Sequence, residues 1–213
     1  KTVGNSIGIE VRAGTNSPDK ADGLHIENFQ AMGNTVKGIY LERAHNATLR
    51  DITIDGVPFT GNENPPSNGI DINLKYQDYE NITIEDTVVR DVERDNFGSG
   101  PTWNAAVCIK ARDDGSYSGT PATLDGVTLD NVTIEDSVAG LRLGEPGVDY
   151  TSTPEGPTNV TVQNSTFENN DEYHVEDLPD SVDLNDVLNN NGNTFSPAGV
   201  IESNPDRIVP DSS

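Results

Sequence analysis

Two short segment types alternate along this chain of 213 residues, and their recurrence constrains the fold more than any other feature. One type reads Asn-x-Thr-apolar, and the other is a small residue followed by apolar-x-apolar. The first type begins at Asn46, Asn81, Asn131 and Asn159, and the second at Gly8, Gly38, Gly69, Ala106 and Gly140. Both show the period-two alternation of half-buried strands. Because so short a strand cannot bury its apolar face alone, we expect successive copies to stack in parallel ladders.

The spacing of the second segment type sets the size of the repeat. From Ile39 to Ile70, Val107 and Leu141 the steps are 31, 37 and 34 residues. A β-sandwich would instead place its turns about every ten residues. Val and Ile together outnumber Leu by 33 to 11, which favours short strands. The repeated Asn tolerates left-handed backbone, so we expect its side chains to stack and form hydrogen bonds from one repeat to the next.

These alternating segments resemble the right-handed parallel β-helix superfamily of pectate lyases, polygalacturonases and phage tailspikes. The resemblance implies an all-β fold, a single-stranded right-handed parallel β-helix, with coils over residues 1–177 and a C-terminal cap and tail over 178–213. An open first coil would expose unpaired strand edges, so we expect a second subunit or an additional domain at the N-terminal end. Ligand contacts are expected on the inserted loops at Pro58–Asn68, Glu93–Asn104 and Glu145–Pro157.

The charge balance narrows the partners and the environment. Asp and Glu number 36 against 13 Lys and Arg, which gives a net charge of −23. A nucleic-acid partner is therefore excluded, because phosphate binding needs clustered Lys and Arg. Membrane insertion is not expected, because the longest apolar run, Ala105–Ile109, is five residues. The acidity resembles that of haloarchaeal proteins, so we expect an extracellular, cell-surface or virion-surface protein in high salt.

Enzymes of the superfamily place their chemistry on the outer face of one parallel sheet. Stacking the second segment type gives one outward column of Glu10, Tyr40, Asp71, Cys108, Arg142 and His174, and a second of Arg12, Glu42, Asn73, Lys110 and Gly144. The catalytic candidates are Asp71, Lys110, Arg112 and Arg142, and the binding candidates are Tyr40, Glu42, Lys75, Trp103 and Glu145. In a catalytic role, Lys110 or Arg142 would serve as the base or as a carboxylate clamp.

The sequence gives little evidence for a metal site or for glycoside hydrolysis. The three His residues lack metal-ligand spacing, so we predict no metal centre and no cofactor, with Ca²⁺ bound by loop Asp and Asn left open. Asn68 and Asn104-Ala105 stand where polygalacturonases carry their catalytic Asp residues. Glycoside hydrolysis needs paired carboxylates, which disfavours that mechanism.

Two functions follow from these residues. The first is a non-catalytic scaffold or recognition module that binds a polysaccharide or a surface glycoprotein. Its aromatic contact candidates are Tyr76, Tyr79, Trp103, Tyr117 and Tyr150. The alternative is a polysaccharide lyase or epimerase acting on an acidic polysaccharide through the outward charged residues.

Overall fold

The computed structural model describes residues 1–12, 19–58, 67–93, 103–148, 150, 156–202 and 206–211. The strands of this part are, in chain order, β1 (Thr2–Val3), β2 (Ile7–Val11), β3 (Ala21–Asp22), β4 (His25–Met32), β5 (Lys37–Leu41), β6 (Ala44–His45), β7 (Ala47–Val57), β8 (Asn68–Leu74), β9 (Asp78–Val92), β10 (Ala105–Ala111), β11 (Thr123–Glu135), β12 (Leu141–Leu143), β13 (Pro157–Gln163), β14 (Thr166–Glu168), β15 (Val175–Asp177), β16 (Thr194–Ser196), β17 (Gly199–Glu202) and β18 (Asp206–Pro210). A 3₁₀ turn spans Gly115–Tyr117 and one helix, α1, spans Leu184–Asn189. The protein is therefore mostly β.

Two large sheets share most of these strands. Sheet 1 has the order β1-β4-β7-β9-β11-β14-β16, with β13 also paired to β11, and sheet 2 has the order β17-β18-β15-β12-β10-β8-β5-β2. From β4 to β15 the chain passes repeatedly between the sheets, and each strand pairs in parallel with its equivalent one repeat later. We use the word repeat for one sheet 2 strand together with the sheet 1 strand that follows it in the chain. The prediction of an all-β protein with stacked parallel strands is confirmed.

The core lies between the two sheets and is built from columns of equivalent residues. In sheet 2 one column is Leu41, Ile72, Ile109 and Leu143, which follow each other in register. In sheet 1 the facing column includes Leu49, Ile84 and Leu129. All of these side chains are fully buried. Removing one apolar side chain of this kind from water stabilises the fold by about 1.5–3 kcal/mol, so the regular columns account for the stacking.

The small residue at the start of each sheet 2 strand has a steric cause. A Cβ added at Gly69 would lie 2.4 Å from Cγ1 of Val89 and 2.5 Å from the carbonyl oxygen of Ala106. Gly38 has the same constraint against the side chain of Ile54. The motif therefore needs a small residue because sheet 1 side chains pack directly against this part of the backbone.

The long strands of sheet 1 bend at residues in left-handed conformation that recur every five positions. In β9 these residues are Asn81, Asp86 and Asp91, with φ of 55°, 49° and 55°. The neighbouring strand β11 has Gly126 and Asn131 at the first two positions, and Asp136 follows it at the third. Their side chains form hydrogen bonds between repeats; Asn131 Nδ2 donates to Asp86 Oδ1 at 2.7 Å.

The repeated Asn residues do adopt the left-handed conformation that the sequence predicts, but not all of them stack on one another. Asn46, Asn81 and Asn159 do occupy equivalent positions in successive repeats, with Gly126 between the last two. Asn131 instead stacks on Asp86, five residues further along the repeat. Every left-handed bend accepts Asn, so the local motif alone did not distinguish one bend from the next.

In sheet 2 the parallel stacking ends at β15, whereas in sheet 1 it continues to β16, which pairs in parallel with β14. Strands β17 and β18 form an antiparallel pair, and β18 pairs antiparallel with β15. Helix α1 begins after Asp183, whose side chain accepts from the backbone N–H groups of Asn185 and Asp186. At the other end, β2 is the outermost strand of sheet 2. No helix in the described ranges is long and apolar enough to cross a membrane.

Candidate functional site

The predicted outward column exists on the outer face of sheet 2, with one correction. Its members in register are Glu10, Tyr40, Asp71, Cys108, Arg142, Glu176 and Arg207. The prediction placed His174 after Arg142, but Leu141 pairs with Val175, so Glu176 takes that position. His174 precedes the strand, and its Nε2 lies 3.1 Å from the carbonyl oxygen of Pro197.

A buried ion cluster occupies the middle of this face. Asp71 forms an ion pair with Lys37, and the Nζ of Lys110 lies 3.9 Å from the Oδ1 of Asp71. The same Nζ lies 2.5 Å from the Oε2 of Glu145. Asp71 is only 1% exposed and Lys110 only 3%. The structure therefore brings Asp71, Lys110 and Glu145 together; the first two are almost completely buried, and the Glu145 side chain is 12% exposed.

Lys37 belongs to this cluster although the sequence did not indicate it. Strict alternation assigns Lys37 to the same face as Ile39 and Leu41, which are buried in the core. The alternation breaks at Gly38, so the Lys37 side chain reaches Asp71 instead. One feature of the sequence could have indicated this role: Lys37 is one of only five Lys residues, and it directly precedes the small residue of the motif.

Neighbouring charges shift the pKa values of Asp71 and Lys110. Burial alone would raise the pKa of Asp71, but Lys110 and Lys37 outweigh it and hold that pKa well below its usual range. Burial likewise opposes the charge of Lys110, yet Asp71 and Glu145 raise its pKa above the ordinary value. Lys110 is therefore protonated at neutral pH, and a protonated amine cannot act as a general base.

A second group joins the binding candidates Tyr40, Glu42 and Lys75. The Tyr40 hydroxyl donates to Glu42 Oε1 at 2.6 Å, and Lys75 forms an ion pair with the same carboxylate. Asn73 Nδ2 donates to the Tyr40 hydroxyl oxygen at 3.1 Å. Burial and the hydrogen bond to Glu42 raise the pKa of Tyr40. These side chains are therefore held in fixed positions beside the ion cluster.

Arg112 directly follows β10, and its Nη1 donates to Asn73 Oδ1 at 3.5 Å. Its Nη2 donates to Asp114 Oδ2 at 2.6 Å, and its Cζ lies 4.8 Å from the centre of the Tyr117 ring. Lys75 approaches the same ring to 5.2 Å, and the Tyr76 ring lies 5.3 Å from it. Tyr117 is partly exposed. The four residues of this cation–aromatic cluster are all partly exposed.

Arg142 forms a third, separate group. It is fully buried, and its Nη2 lies 3.2 Å from the Sγ of Cys108. Its Nη1 donates to the carbonyl oxygen of Trp103 at 2.9 Å. Trp103 itself is 38% exposed. Arg142 makes no ion pair with a carboxylate in the part of the chain that the structure describes. It therefore positions Trp103 rather than facing a ligand.

Several predictions about the site are left open by the structure. Most residues of the loops Pro58–Asn68, Glu93–Asn104 and Glu145–Pro157 lie outside the described ranges. Within those ranges, no group of three or more His, Cys, Asp or Glu residues is arranged to hold a metal ion. Binding of Ca²⁺ stays a prediction.

No family model matches the chain, and neither does a curated protein or a solved structure.

Proposed function

We propose that this chain is a single-stranded right-handed parallel β-helix that serves as a non-catalytic scaffold or recognition module. The alternation of its strands between two parallel sheets supports a β-helix of the pectate-lyase-like kind. The net charge of −23 supports a cell-surface, extracellular or virion-surface protein in high salt, because salt screens the self-repulsion of such a surface. A polysaccharide or a surface glycoprotein is the proposed partner.

One observation carries the non-catalytic assignment. Asp71 and Lys110, at the centre of the face where an enzyme would hold its substrate, are almost completely buried and paired with opposite charges. A polymer could not reach them without breaking this cluster, and leaving one buried charge unpaired costs about 3–5 kcal/mol. The cluster is therefore assigned a structural role beneath the binding surface.

The partly exposed residues beside the cluster are the proposed contact surface. Tyr76 and Tyr117 form a ring pair, and the cations of Lys75 and Arg112 flank the Tyr117 ring. Flat aromatic rings with nearby hydrogen-bonding groups suit the apolar faces and hydroxyl groups of sugars. Trp103, at 38% exposed, is a further aromatic candidate.

One observation supports the lyase or epimerase alternative: Asp71, Lys110 and Glu145 lie close together. Arg112 and Arg142, which this alternative also needs, are engaged elsewhere, by Asp114 and by Cys108 and Trp103. The raised pKa of Lys110 further weighs against its use as the base that removes a proton from a sugar ring.

A glycan array in molar KCl tests the proposal, with wild type, Tyr117→Ala and Tyr117→Phe side by side. We expect Tyr117→Ala to weaken binding at least about tenfold and Tyr117→Phe, which keeps the ring, to bind like wild type. Equal binding by all three proteins would contradict the contact surface, and binding of no glycan by wild type would contradict the polysaccharide partner. In parallel, ultraviolet absorbance of unsaturated product from pectate or alginate would overturn the non-catalytic assignment.

A further inference from the structure

The core of sheet 2 ends in a carboxylate. The interior column of Leu41, Ile72, Ile109 and Leu143 continues in register to Asp177, the last residue of β15. Asp177 is only 3% exposed, so it takes the buried position that an aliphatic side chain holds in each earlier repeat. A buried carboxylate in a core column costs stability unless hydrogen bonds compensate for it.

Its hydrogen bonds connect the last repeat to the segment that follows. Asp177 Oδ2 accepts from the backbone N–H groups of Ser181 at 2.6 Å and Val182 at 2.7 Å. These two residues lead into Asp183 and helix α1. The other oxygen, Oδ1, is buried and has no hydrogen-bond partner. One side chain therefore holds the chain where the parallel pairing of sheet 2 ends.

The charges around Asp177 are of its own sign. Asp206 lies directly opposite in the antiparallel pair of β15 and β18, and Asp180 follows three residues later. Asp183 is engaged by the first turn of α1. The nearest cation on β18, Arg207, forms its ion pair with Glu176, and Asp177 makes no ion pair within the described ranges. On the β12 side its register partner is Leu143, which carries no charge.

We propose that Asp177 is a proton-sensitive latch, which docks the segment from residue 178 to 211 on the last repeat more firmly at pH 5 than at pH 7.5. When Asp177 is protonated, it carries no buried charge and no longer repels Asp206 and Asp180. When it is ionised, it must keep a charge buried among like charges. Residues 180–185 of this segment also line an open groove of about 460 Å³ with Ile201 and Asp206.

The direction of the pH effect follows from linkage. Burial, with a smaller contribution from Asp180, raises the pKa of Asp177 to about 6 in the docked state. Once the segment undocks, the pKa returns to about 3.9. The docked state therefore binds the proton more tightly, so docking is strongest below pH 4 and weakens as the pH rises through 6. Between pH 5 and 7.5 the undocking equilibrium constant should increase about tenfold.

Amide hydrogen exchange in molar KCl tests the latch, after correction for the intrinsic pH dependence of exchange. We expect the opening constants at Ser181, Val182 and Ile208 to rise about tenfold from pH 5 to 7.5 in wild type. In Asp177→Asn, which can still accept both N–H groups but cannot ionise, the rise should be less than twofold. The amide of Ile72 in β8 serves as the internal control, because it is remote from the latch.

A rise of the same size in both proteins would overturn the proposal. If Asp177→Asn does not fold, the ¹³Cγ chemical shift of Asp177 in wild type gives an independent reading. A titration midpoint near 6 supports the latch, whereas a midpoint below about 4.5 overturns it, because the carboxylate would then be ionised throughout the range tested.

Discussion

Asn81 lies one repeat after Asn46, and its Nδ2 donates a hydrogen bond to the Oδ1 of Asn46 at 2.9 Å. Both residues are in the left-handed region, with φ of 55° and 48°. The contact therefore combines a backbone requirement with a ladder of side chains along the stack. Asn meets both demands because its short amide side chain tolerates this conformation and also carries a donor and an acceptor.

The two demands can be separated by substitution at Asn81. Both substitutions remove the side-chain ladder, but Gly adopts the left-handed region freely, whereas Ala keeps a Cβ there without the polar group that helps Asn to tolerate it. We expect Asn81→Ala to be the less stable variant by about 1–2 kcal/mol in urea unfolding followed in molar KCl. Equal stability of the two variants would show that the backbone conformation contributes nothing at this bend.

The buried ion cluster predicts a large cost for a small change at Asp71. Asp71→Asn keeps the shape of the side chain but leaves Lys37 and Lys110 without that counter-charge. We expect a loss of about 3–5 kcal/mol in the free energy of unfolding. Glu27→Gln is the matched control, because it removes one carboxylate from the half-exposed pair with Arg50. That control should show a much smaller loss, and equal losses would argue against a special role for the buried cluster.

How far the sequence predicts this architecture depends on the range of the interaction involved. The buried columns were predictable, because Ile70 and Ile72 show the alternation and a small residue precedes them. The register of the bends was not, because Asn81 and Asn131 have the same local motif at positions five residues apart in the repeat. Only the packing of the core between sheets decides which bend stacks on which.

The site was predictable to the same degree. Alternation placed Asp71, Cys108 and Arg142 in one column, as the structure has them. It could not predict that Lys37 departs from the alternation, nor that Arg142 points to Cys108 and Trp103. Those details depend on long side chains choosing among several partners, and a pattern of period two carries no information on that choice.

The pH dependence of stability should differ between wild type and Asp71→Asn below pH 4. The folded-state pKa of Asp71 is lowered, so its contribution is complete above its unfolded value of about 3.9 and is lost as the pH falls toward the folded value. We expect the stability difference between the two proteins to be constant from pH 7 to 5 and to shrink from pH 4 to 2.5. A difference that stays the same down to pH 2.5 would contradict the lowered pKa.

Cys108 reports whether the outer face of sheet 2 opens. Its side chain is fully buried, and it is the chain's single Cys, so labelling with a thiol reagent is unambiguous. We expect labelling in molar KCl to occur only at the rate of global unfolding, and to become immediate in concentrated urea. Labelling much faster than global unfolding would indicate that this face opens locally. Such opening would be needed for a substrate to reach the buried cluster, so it would favour the catalytic alternative.

Like charges stacked along the bends predict where salt acts. Asp51 and Asp86 occupy equivalent left-handed positions in neighbouring strands, which lie about 4.8 Å apart. Asn28 is the equivalent residue on the other side of Asp51. Asp51→Asn should raise stability in 0.1 M KCl, and Asn28→Asp, which adds a third carboxylate to the row, should lower it.

Both effects should fade in molar KCl, where the screening length falls from about 10 Å to about 3 Å. Urea unfolding at the two salt concentrations measures this, and effects of equal size at both would show that the acidity of the bends does not explain a salt requirement.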